Sequence, residues 1–116
     1  MKTQFSRDQL VPMVSSIFQG AIDRIVLVVP THLPKAEFQS LRDRFMFGIM
    51  AVLGTVNAQL AALCTQVNRP NQDFDQYDQM LRAAEIFLNE LQNGQKATFM
   101  FQPTYEAEKF VTKYME

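Results

Sequence analysis

The chain contains no tryptophan, one cysteine (Cys64) and one histidine (His32). A lone cysteine excludes an internal disulfide framework and fits a reducing compartment. A lone histidine excludes a histidine cluster for metal, and neither the His-Glu-x-x-His nor the Cys-x-x-Cys spacing occurs, so no zinc site is expected. The glycines at 20, 48, 54 and 94 are too scattered for a phosphate-cradling loop. Excess charge is missing as well: 11 Lys and Arg against 12 Asp and Glu give a net −1. Nucleic-acid binding needs a clustered cationic surplus, so it is not expected here. The opening MKTQFSRDQL lacks the apolar core and small-residue cleavage site of a signal peptide, which predicts a cytoplasmic protein.

Charge is absent altogether from Phe45 to Asn68, between Arg44 and Arg69. Such a run is long enough to cross a bilayer, and it equally suits a helix buried in a soluble bundle. Large residues Phe45, Ile49, Val52, Val56, Leu60, Leu63 and Val67 form one stripe on it. Gly48, Ala51, Thr55, Ala58 and Ala62 form a second, at spacings of three and four, with Met46, Leu53 and Cys64 on a third face. Asn57, Gln59 and Gln66 interrupt the apolar surround, and no Trp or Tyr belt flanks it, which speaks against a spanning helix. An unbroken helix from Pro34 to Val67 would be roughly 50 Å long. A compact domain of 116 residues is only about 35 Å across. The helix must therefore break near Gly48 or Gly54, stretch the domain, or have its overhang covered by another copy.

Three further segments surround this one. Ser6 and Gln9 form a capping box ahead of Leu10, Val14, Ile17, Ala21, Ile25 and Val28, which share a helical face despite Pro12. The β-branched stretch 25–29 is a strand candidate too, although it continues the helical phase. Asp73 and Gln76 mark the start of an amphipathic helix carrying Phe74, Tyr77, Leu81, Ala84, Leu88 and Leu91 on one face, stopped at Asn93-Gly94. Pro103 opens a last helix with Ala107, Phe110, Val111 and Tyr114 on one side, after a connector near 97–102 that reads as a short extended segment. The expectation is an all-α fold: a single helical domain over 1–116, a small bundle of about four helices around a long central apolar helix.

No residue constellation names a reaction. The acidic run Asp73 to Asp78 fails the calcium-loop test, since its sixth position lacks glycine and its twelfth is Ala84. Glu85 and Glu90 are five apart and do not share a helical face, so a di-iron pattern is absent. No catalytic residue, metal or cofactor is expected. Met46, Met50 and Met80 fall at core positions. The surplus of apolar helical surface predicts a non-enzymatic protein-protein interaction module, an adaptor, chaperone, inhibitor or regulatory subunit, that pairs with another protein or with itself as a homo-oligomer. Its expected contact residues are Gly48, Ala51, Thr55, Ala58 and Ala62 on the central helix and Phe99, Met100 and Phe101 in the connector. The alternative is a protein that binds a small or nucleotide-like ligand between helices or protomers, with His32, Tyr77 and Tyr105 as polar contacts.

Overall fold

A computed structural model describes residues 5–28, 35–70, 74–94 and 97–116; the side chains of Lys35, Gln76 and Tyr77 fall outside that description. Helix α1 spans Arg7–Val28, α2 Phe38–Gln66, α3 Gln76–Gln92 and α4 Pro103–Phe110, with a 3-10 turn at Lys35–Glu37 and a π-helical turn at Val111–Met115. The fold is all-α, a four-helix bundle built on α2.

The local signals explain most boundaries. The Ser6 amide donates to Gln9 Oε1 at 2.9 Å, so the capping box forms as the sequence implies. Helix α1 runs through Pro12, and Ile25 to Val28 are helical, not a strand. Val29 lies outside the described residues, as do Pro34, Thr31-His32-Leu33 and the Asp73 cap. Helix α2 ends in a Schellman motif: Asn68 sits at φ 61°, its amide reaches Thr65 O at 3.1 Å, and the Arg69 amide reaches Cys64 O at 2.7 Å. Gly94, at φ 73°, closes α3 in the same left-handed conformation, its amide bonded to Leu91 O at 3.1 Å. No strand occurs among the described residues, and the 97–102 connector is irregular.

Helix α2 is unbroken over 29 residues, so it bends out of register at neither Gly48 nor Gly54. The domain stretches instead: its principal extents are 59 × 21 × 19 Å, and its radius of gyration is 16.0 Å. A compact chain of this length would have about 13 Å. Helix α1 packs on both α2 and α4, and α3 packs on α2. The C-terminal end of α1 stops level with Gly48, three turns into α2, where Val28 faces that glycine. Beyond that point the first three turns of α2 are accompanied by α3, through Phe45 against Phe87 at 6.0 Å and Arg42 against Asn89 at 3.4 Å.

At the opposite end the layers are thickest. Phe110 meets Phe18 at 6.2 Å, Phe74 at 4.9 Å and Tyr114 at 4.9 Å, all between ring centroids. Phe101 stands edge-on to Phe18 at 5.3 Å and is buried, so it belongs to the core, not to the interaction surface expected for it. Phe99 is half-buried against Phe87, and Met100 alone of the three is well exposed. Met80 is core filler as expected; Met46 is half-buried and Met50 points outward.

Gly20 lies inside α1 on its exposed side, and a Cβ added there would meet nothing within 4 Å. Gly20→Ala is therefore expected to stabilise the domain by about 1 kcal/mol, since glycine carries the larger entropy loss in a helix. A rise in the thermal midpoint of about 4 °C would record it.

Candidate interaction face

The inner half of α2 is closed by the bundle, with Phe45, Ile49, Val52, Val56, Leu60, Leu63 and Val67 all buried beside Leu53 and Cys64. Its outer half is largely exposed. There Ala51, Thr55, Ala58 and Ala62 lie exposed, joined by Gly54 and Thr65. Phe47, at 79 % exposure, and Met50, at 47 %, stand on the same outer half. Gly48 is half-buried at its edge under Val28; an added Cβ would lie an ordinary 3.7 Å from Val28 Cγ2, so glycine is not sterically required there. A helix apolar on every face was expected to have neighbours on every face, and α2 stays largely exposed on this one.

The polar residues of this face are largely turned inward. The Thr65 hydroxyl donates to Ala61 O at 3.1 Å and that of Thr55 to Ala51 O at 3.4 Å, so each threonine satisfies its donor on its own helix and presents its methyl group outward. Between Phe45 and Asn68 only Asn57, Gln59 and Gln66 offer amides. The chain's accessible surface is 7411 Å². A compact monomer of 13.4 kDa should expose about 6,500 Å².

Two helices, Arg7–Val28 and Phe38–Gln66, are long and apolar enough to cross a membrane by length and composition alone. Only the second contains the charge-free run. Leu27, 84 % exposed, and Val26 extend the apolar surface at the end of α1.

The residues expected to hold a small ligand are not gathered by any described contact. His32 lies outside the described residues, as does the side chain of Tyr77, whose backbone forms the first turn of α3. Tyr105 is exposed on α4, with the Lys109 ammonium 5.2 Å from its ring centroid. The cavity beside Leu53, Val56, Asn57, Leu60 and Phe74 is about 10 Å³, room for one water at most. A shallow depression of about 390 Å³ is lined by Arg7, Asp75, Glu108, Lys109, Thr112 and Lys113. Its charges are engaged with one another: Arg7 with Glu116 at 2.6 Å and with Thr112, and Lys113 with Asp75 at 2.6 Å. Among the described residues no group of three or more His, Cys, Asp or Glu converges as a metal set would. Buried Glu106 keeps Oε2 outside hydrogen-bond range, with Lys109 Nζ 3.6 Å away as its counter-charge.

Asp75 joins α3 to the C-terminal turn. The Lys113 hydrogen bond, seconded by one at 3.0 Å from the Tyr114 hydroxyl, holds its carboxyl below the ordinary value, and Lys113 is correspondingly raised. A depressed carboxyl contributes stability above its unfolded pKa of about 3.9 and loses it as pH falls through the lower folded value. Asp75→Asn should therefore lower the thermal midpoint at neutral pH, and the deficit should vanish in melts recorded well below pH 4. Burial pushes the Cys64 thiol up, which makes it a poor nucleophile in the folded chain.

Comparison with known proteins returns no match to a family model, a curated protein or a solved structure.

Proposed function

We propose that this protein is a non-enzymatic interaction module that works by presenting the outer face of α2, and that it does so as a soluble, cytoplasmic homo-oligomer. The observation that carries the reading is the charge-free, largely exposed face of α2 from Phe47 to Thr65, anchored by Phe47 at 79 % exposure. Large apolar surface left in water on one face of a small domain is the mark of a contact site. A soluble oligomer is preferred to a membrane span because the other half of α2 is closed by α1 and α3 and by buried side chains, and because α3 carries charge along its outer side at Asp78, Arg82 and Glu85.

Size-exclusion chromatography with light scattering tests it. The expected mass at tens of micromolar is a multiple of 13.4 kDa. A clean monomer that binds no apolar-surface dye overturns the reading. So does a protein recovered only in the membrane fraction of its host cell.

A further inference from the structure

We draw no further inference here: the strongest candidate, the exposed apolar patch of Val26, Leu27 and Val28 at the end of α1 beside Gly48 of α2, carries none because nothing in the structure shows what covers it.

Discussion

Replacing Phe110 by alanine lowers the unfolding free energy by about 3–5 kcal/mol. Phe110 is fully buried in α4 and is the meeting point of four segments: Phe18 from α1, Phe74 from the start of α3, and Tyr114 from the π-helical turn all lie within 6.2 Å of its ring. The edge-to-face geometry of the Phe18 and Phe74 pairs adds to the area term. Removing the ring leaves a cavity walled by other aromatics, which are too rigid to collapse into it. Since a domain of this kind holds about 5–15 kcal/mol in total, the loss is a large part of the whole. Urea melts give the measurement. Phe45→Ala, on the slender half where α2 is accompanied by α3, is the comparison; a cost there as large as at Phe110 would mean that the thick end does not dominate stability.

The thick end was also the least legible part of the sequence. The three- and four-residue spacing traced Leu10, Val14, Ala21 and Ile25 on α1 correctly but passed over Phe18, which is fully buried. One stripe per helix is the assumption that failed. Helix α1 faces two neighbours, α2 and α4, so its buried arc is wider than one periodic series. Phe101 was misplaced for a related reason: an irregular connector has no periodicity, and only the tertiary contact with Phe18 decides that its ring points inward while Met100 points out. Helix α3 lies mainly on α2 and buries Ala84 and Leu88 of the expected series, with Leu81 and Leu91 half-buried, but Met80 and Ala83 outside that series are buried too, so its buried arc is also wider than one stripe. The strand alternative at Ile25 to Val28 gave way because these positions continue a helix begun eighteen residues earlier, and β-branched residues cost little once a helix is already propagating.

The length of α2 is compatible with a break at a glycine or with an elongated domain, and the domain is elongated. The helix's two interior glycines cost about 1 kcal/mol each relative to alanine, which is small beside the burial of Ile49, Leu53, Val56 and Leu60 around them. Packing therefore keeps the helix continuous, and elongation follows from the shortness of α1, which ends level with Gly48.

The same helix yields a second large effect, in a pair of variants that differ only in which side of α2 they alter. Ile49→Asp should unfold the domain, because Ile49 is fully buried and an unpaired carboxylate there costs several kcal/mol after relaxation. Ala58→Asp places the same charge on the exposed half and should change the stability of the single chain by no more than about 0.5 kcal/mol. The measurement is circular dichroism at dilutions where the chain is alone, so that loss of self-association at Ala58 does not enter. If α2 instead crossed a bilayer, both aspartates would face hydrocarbon or protein and both would be costly. A wide gap between the two variants thus assigns one side of α2 to this bundle and the other to water or a partner. Equal damage would mean that the outer half is never in water at all.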